Sequence, residues 1–192
     1  MRTLILTAVA AHLTLPPMQH PEELSQLNEC IQHRFQDRTS FGMRRILPNQ
    51  FHGVRQFRPE NAAEQAVVNR LEEKGYQVAL YLAGRSVATN PALAPGLAPY
   101  RYGVQGPAYI TRLSNAPELP RPEALFEESR TALDAFKTGQ GYDIKKGDWT
   151  VALRPLRATN AACVQCHNNT GANVKLNDPL GVVMYVYRHP LQ

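Results

Sequence analysis

The sequence predicts an α+β fold in which helices pack against an antiparallel sheet. The predicted segments follow the order helix, helix, strand, loop, strand, helix, strand, motif, strand. They do not alternate regularly, as the βαβ units of a parallel sheet would require. The chain has 192 residues, which corresponds to about one domain.

Two helices and a buried strand are predicted in the first half of the chain. One helix begins at Pro21, because proline suits a first helical turn and the two glutamates after it suit the positive end of the dipole. Another begins at Asn61, which forms a capping-box pattern with Glu64, and ends at Gly75. The apolar segment after Gly75 predicts a strand buried on both faces. The predicted elements are helices over 21–36 and 61–75 and a strand over 76–83.

The second half begins with a proline-rich segment, 90–107, that predicts a long loop. Trp149, Val151 and Leu153 alternate with Thr150 and other residues, which predicts a half-buried strand. Further apolar segments complete the pattern. The predicted elements are strands over 108–113, 148–156 and 180–188 and a helix over 123–137.

The charge balance argues against nucleic-acid binding. Lys and Arg number 21 against 16 Asp and Glu, so the net charge is +5. No run of five like charges occurs, as a basic arm would require. Charged residues make up only 19% of the chain, which excludes a highly charged disordered protein.

The N-terminus resembles a short export signal. Arg2 precedes a short apolar run that ends with small residues at Ala8 and Ala10. No run of about 18 apolar residues occurs, so no long membrane-spanning helix is predicted. We expect a signal peptide and extended lead-in over 1–20, one domain over 21–192, and membrane association only through the N-terminus.

One motif carries recognisable chemistry. Cys163, Cys166 and His167 form Cys-x-x-Cys-His, the attachment sequence for c-type haem. Two thiols three positions apart can add to the vinyl groups on one porphyrin edge, and the adjacent imidazole can ligate the iron. We therefore predict one covalent haem c. A periplasmic location agrees with it, because c-type haem is attached outside the bacterial cytoplasm.

Other interpretations use the same residues. A dithiol redox pair would need a thioredoxin-like βαβ start, whereas this motif lies late in the chain after a strand. A zinc site would need a fourth ligand, and no second Cys-x-x-Cys occurs. A structural disulfide or a chance match is also open. The three cysteines of the chain cannot form a full disulfide framework.

The sequence around the motif resembles a known family. Residues 154–156 end a proline-containing strand, the motif follows, and the turn 177–181 leads into the last strand. Upstream, residues 58–64 contain arginine, proline, asparagine and glutamate in a similar segment. Together these features resemble the PAS-like monohaem c-type cytochromes, exported bacterial haem domains of unknown function.

This resemblance implies a PAS-like fold, with a roughly five-stranded antiparallel sheet, helices on one face, and N-terminal and flanking helices. It also implies that a cysteine on the N-terminal helix is the second axial ligand of the iron. The two axial ligands would then be His167 and Cys30. A thiolate ligand would favour a low potential and methionine a higher one. From the residues alone, other sixth ligands stay open: His33, His52, Met43 and Met184.

The implied function is electron transfer or redox or gas sensing rather than enzymatic catalysis, with a redox or signalling protein as partner. The alternative is a zinc-binding protein or a haem peroxidase, whose distal base and arginine could be His52 and Arg55. The arginines between Arg34 and Arg58 are either solvated surface residues or partners of acidic groups, such as haem propionates or an acidic redox protein.

Overall fold

The computed structural model describes residues 20–37, 45–47, 55–87, 100–112, 118–169 and 173–189. The predicted signal and lead-in, apart from His20, lie outside the described residues, as do Met43 and His52. Among the helices in these ranges, none has the length and apolar character needed to cross a membrane.

A five-stranded antiparallel sheet forms the centre of the described structure, which confirms the predicted combination of helices with a five-stranded antiparallel sheet. The strand order is β2-β1-β5-β4-β3, so β5 lies between β1 and β4. The strands are β1 Gln77–Val87, β2 Tyr100–Tyr109, β3 Tyr142–Lys146, β4 Trp149–Arg157 and β5 Pro179–Arg188.

Helices cover both faces of the sheet, whereas the resemblance implied helices on one face. Val183 and Tyr185 of β5 pack with the first two helices, and Val182 and Met184 pack with the third. The helices are α1 Glu22–Asp37, α2 Ala62–Glu73, α3 Phe126–Lys137, which follows a 3₁₀ turn at Pro122–Leu125, and α4 Ala161–Asn168.

The predicted starts of α1 and α2 are confirmed. The Asn61 side chain accepts a hydrogen bond from the N–H of Glu64 at 2.9 Å. The Glu64 carboxylate accepts the N–H of Glu60 at 2.7 Å rather than that of Asn61. Glu64 is itself buried and pairs with Arg34 of α1, with Nε 2.9 Å from a carboxylate oxygen. This pair joins the two helices that cover one face of the sheet.

The half-burial predicted for β4 is wrong. Residues 149–153 are all buried, because α1 lies over one face of the strand and α3 over the other. Ala152 packs toward α1, and Thr150 on the same face accepts a hydrogen bond from Lys145 Nζ at 2.6 Å. Small or hydrogen-bonded residues therefore occupy the positions that the alternation assigned to solvent.

The two edge strands differ from the predictions. β2 begins at Tyr100, inside the predicted loop 90–107, and includes Gly103, Gly106 and Pro107. An edge strand tolerates glycine and proline because one of its sides has no ladder of hydrogen bonds. β3 was not predicted, since it is only five residues long and lies between Gly141 and Gly147.

Candidate functional site

The motif lies on α4, the short helix that connects β4 to β5. The helix begins at Asn160, whose side-chain oxygen accepts a hydrogen bond from the N–H of Cys163 at 3.0 Å. An asparagine in this position satisfies a backbone donor that a helix start otherwise leaves without a partner. The first cysteine is therefore held in the capped first turn.

All three motif side chains project from one side of α4. An α-helix advances by about 100° per residue, so Cys163, Cys166 and His167 fall within an arc of about 100°. Each of the three is partly exposed, and α4 has no buried residue. Both cysteines are free thiols. The helix thus presents two thiols and an imidazole together on an accessible surface.

The chain beyond α4 is tied back to the helix. The Asn168 side chain accepts the N–H of Val174 at 2.7 Å and donates to its carbonyl oxygen at 3.0 Å. At the base of the connection, Asn177 N–H donates to Ala158 O at 2.8 Å, and Ala158 N–H donates to Asp178 O at 3.0 Å. These bonds hold both ends of the connection between β4 and β5 that contains the motif.

The side chain of Arg45 brings a positive charge near the motif. Its guanidinium donates to the Phe35 carbonyl oxygen near the end of α1 and lies 5.4 Å from the centre of the Phe35 ring. Burial lowers the pKa of Arg45, while negative charge on Cys163 and Cys166 raises it. The two thiols are therefore within electrostatic range of a partly buried cation.

Cys30 lies on α1 in a different environment. Burial raises the pKa of its thiol, the Glu64 carboxylate raises it further, and the Arg34 guanidinium opposes them. A thiol with a raised pKa keeps its proton at neutral pH, so binding to a metal would require loss of that proton. Glu64 and Arg34 form the ion pair that joins α1 to α2.

Cys30 and Gln32 lie on different flanks of α1. Gln32 Nε2 donates to Pro155 O at 2.9 Å, five residues before α4 begins. Cys30 and Gln32 are about 160° apart around the helix axis. Gln32 thus contacts the strand that leads into α4, whereas Cys30 lies within electrostatic range of Glu64 on α2 and of Tyr185 on β5. The ligand role of Cys30 stays a prediction from the resemblance.

The other described candidates for the sixth ligand lie apart from each other. Met184 is fully buried in β5 and packs on the α3 face of the sheet. His33 is exposed on α1. Met43 and His52 lie outside the described residues. In the ranges that the structure covers, no three His, Cys, Asp or Glu side chains are grouped as a metal ion would require.

Sequence reasoning identified the motif but missed the residues that hold it. Asn160 stands directly before a helix-compatible run, which is a local capping signal that could have been recognised. The Asn168 contact to Val174 and the position of Arg45 depend on loop closure and packing, and no local pattern reports them.

Comparisons with models of known protein families, with curated proteins and with solved structures found no match to this chain.

Proposed function

We propose that this protein carries one covalently attached haem c and acts in electron transfer or in redox or gas sensing. The observation that carries the proposal is the placement of Cys163, Cys166 and His167 on one accessible arc of α4. A macrocycle approaching this side meets two thiols and an imidazole that belong to one rigid turn-and-a-half of helix.

The donor set fits haem c better than it fits zinc. A structural zinc site needs four converging ligands. Cys163, Cys166 and His167 supply three, and the described residues hold no metal-ligating group of three or more that includes them. Haem c needs no such convergence, because the thiols bond to the porphyrin periphery and only the imidazole bonds to the iron.

Each residue has a distinct task in this proposal. Cys163 and Cys166 would hold the group through thioether bonds, and His167 would ligate its iron. The haem supplies a one-electron redox centre whose potential depends on its axial ligands and on nearby charge. Asn160 fixes the helix turn that presents the first thiol. Arg45 contributes positive charge beside both cysteines.

The sheet is compatible with a PAS-like domain, which we propose as the finer description of the fold. A five-stranded antiparallel sheet with N-terminal helices agrees with it. The helix α3 on the second face is a departure from the pattern that the resemblance implies. We also propose a periplasmic location, since that is where c-type haem attachment takes place in bacteria.

The experiment is co-expression of the chain with a haem c maturation system, followed by extraction with acidified organic solvent. We expect haem to stay with the wild-type protein. It should be extracted completely from the double variant Cys163→Ala, Cys166→Ala. Cys30→Ala is the matched control, because it removes the third cysteine but leaves the motif intact.

Retention of haem by the double variant would contradict the attachment assignment. A colourless wild-type protein would contradict haem binding itself, and zinc analysis of that sample would then test the alternative metal. The spin state separates the remaining classes. Six-coordinate low-spin iron supports electron transfer or redox sensing, whereas five-coordinate high-spin iron supports gas binding or a peroxidase.

A further inference from the structure

The surface beside the motif has an unusual composition. The segment 158–177 contains no acidic residue, and its only lysine or arginine is Lys175. Next to it, Leu176 is 56% exposed and is the one large hydrophobic side chain that the described residues leave exposed. An exposed apolar side chain beside a cation, within a stretch that lacks carboxylates, is what an acidic partner would complement.

Hydrogen bonds hold this surface in place. At the C-terminal end of α4, the Asn168 side chain forms two hydrogen bonds with the backbone of Val174. The backbone N–H of Lys175 donates to the Asp178 carboxylate at 2.8 Å, and Arg157 Nη1 donates to Asn177 O at 2.8 Å. Leu176 therefore lies next to α4 in a segment that hydrogen bonds hold at both ends. We call α4 together with residues 173–177 the α4 face.

The residues of α4 are all exposed or partly exposed. Ala161 and Ala162 are exposed, and α4 has no buried residue among those that the structure describes. It contains no charged side chain other than the titratable His167. Arg45 lies within electrostatic range of Cys163 and Cys166, Arg157 donates to Asn177 O, and Asp178 is the nearest acid along the chain. The balance of charge around the α4 face is positive.

We propose that the α4 face is the docking surface for an acidic one-electron redox protein. This rests on the proposed function, because the motif cysteines lie on the same helix. Complementary charge would steer the partner to the face, and Leu176 would make the close apolar contact. In the complex one electron passes between the partner's redox centre and the haem-loaded protein, and no bond is made or broken.

The test is the rate of reduction of the haem-loaded, full-length protein by a reduced plant-type [2Fe–2S] ferredoxin, an acidic one-electron donor with a potential of about −400 mV. Stopped-flow absorbance gives the second-order rate constant at low and at high ionic strength. We expect Lys175→Glu to lower it about tenfold at low salt and much less at high salt. Leu176→Ser should lower it at both.

Arg121→Glu is the matched control. Arg121 is exposed and lies near Glu118, whose carbonyl oxygen accepts a hydrogen bond from Trp149 at the start of β4. The α4 face follows the other end of that strand, so this variant makes the same charge change at the opposite end of the sheet. Its rate constant should stay close to that of the wild type.

Three results would overturn the proposal. If haem-loaded Lys175→Glu and Leu176→Ser react at the wild-type rate, the α4 face is not the docking surface and the proposed function stands. If Arg121→Glu slows the reaction as much as Lys175→Glu, net charge rather than this face controls the encounter. If the wild-type chain attaches no haem, both proposals fail.

Discussion

The side-chain oxygen of Asn160 accepts a hydrogen bond from the backbone N–H of Cys163 at 3.0 Å. The residue that begins α4 therefore also holds the first thiol of the motif. Because α4 has no buried residue, this cap and the hydrogen bonds between Asn168 and Val174 contribute to holding the helix in place.

Removing the cap should impair haem attachment. Asn160→Ala loses a capping bond worth about 1 kcal/mol to a short helix that has no buried residue. We expect a lower fraction of chains with covalent haem, measured by mass spectrometry after maturation, and Asn160→Asp should restore it. Asn61→Ala removes the corresponding cap of α2 and should lower global stability without lowering this fraction. Equal attachment in Asn160→Ala and the wild type would show that the cap is dispensable.

Replacing Cys30 tests the ligand that the resemblance implies. If Cys30 binds the iron as a thiolate, Cys30→Ser should change the spin state of the oxidised protein or raise its potential. His33→Asn is the control on the same helix, because His33 is exposed. An unchanged spectrum and potential in Cys30→Ser would assign Cys30 to the packing of α1, within range of Glu64 on α2 and Tyr185 on β5.

Gly181 should be intolerant of a side chain. A Cβ at this position in β5 would lie 2.6 Å from the carbonyl oxygen of Ala83 in the neighbouring strand β1. We expect Gly181→Ala to reduce the free energy of unfolding by about 1–3 kcal/mol, measured by denaturant titration. In the edge strand β2, a Cβ at Gly103 would meet no atom within 4 Å. A similar loss in Gly103→Ala would mean that strand propensity, rather than the close approach, causes the effect.

Alkaline pH should destabilise the protein partly through Tyr187. Burial, and to a smaller extent the Asp143 carboxylate, raise the pKa of Tyr187 from 10.0 to about 12. Between these values the unfolded chain loses a proton that the folded chain keeps, so stability present below about pH 10 is lost as pH rises toward about 12. The limiting slope for one tyrosine is about 1.4 kcal/mol per pH unit.

The variant Tyr187→Phe should therefore lose less stability over this range than the wild type. Denaturant midpoints measured at several pH values test the difference in slope. The substitution also removes the hydrogen bond between the Tyr187 hydroxyl and His20 Nδ1, which joins them at 2.7 Å. That loss lowers stability at all pH values and does not change the comparison of slopes. Identical slopes in the two proteins would contradict a buried, neutral Tyr187.

Local patterns explain how much of the fold was predictable. The start of α1 at Pro21, the cap of α2 at Asn61 and the apolar strand after Gly75 are all determined by neighbouring residues, and all three were predicted. The edge strands β2 and β3 were not, because one contains glycines and a proline and the other is short. The burial of β4 on both faces depends on α3, which local alternation does not report.

The candidate site was likewise predicted only in part from the sequence. Cys163, Cys166 and His167 are a contiguous motif, so spacing alone identified them. The approach of Arg45 to the two thiols depends on how the end of α1 packs. The surroundings of Cys30 depend on the orientation of α1, which is fixed partly by the bond from Tyr185 Oη to Asn28 Oδ1 at 3.1 Å.

Covalent haem is the central claim, and one absorption spectrum tests it most directly. The full-length chain is produced with a haem c maturation system, extracted with acidified organic solvent, and then reduced with dithionite. We predict a sharp reduced α band that stays with the protein after extraction, since Cys163 and Cys166 hold the group through two thioether bonds. A protein that is colourless, or that loses all its colour on extraction, would contradict the account.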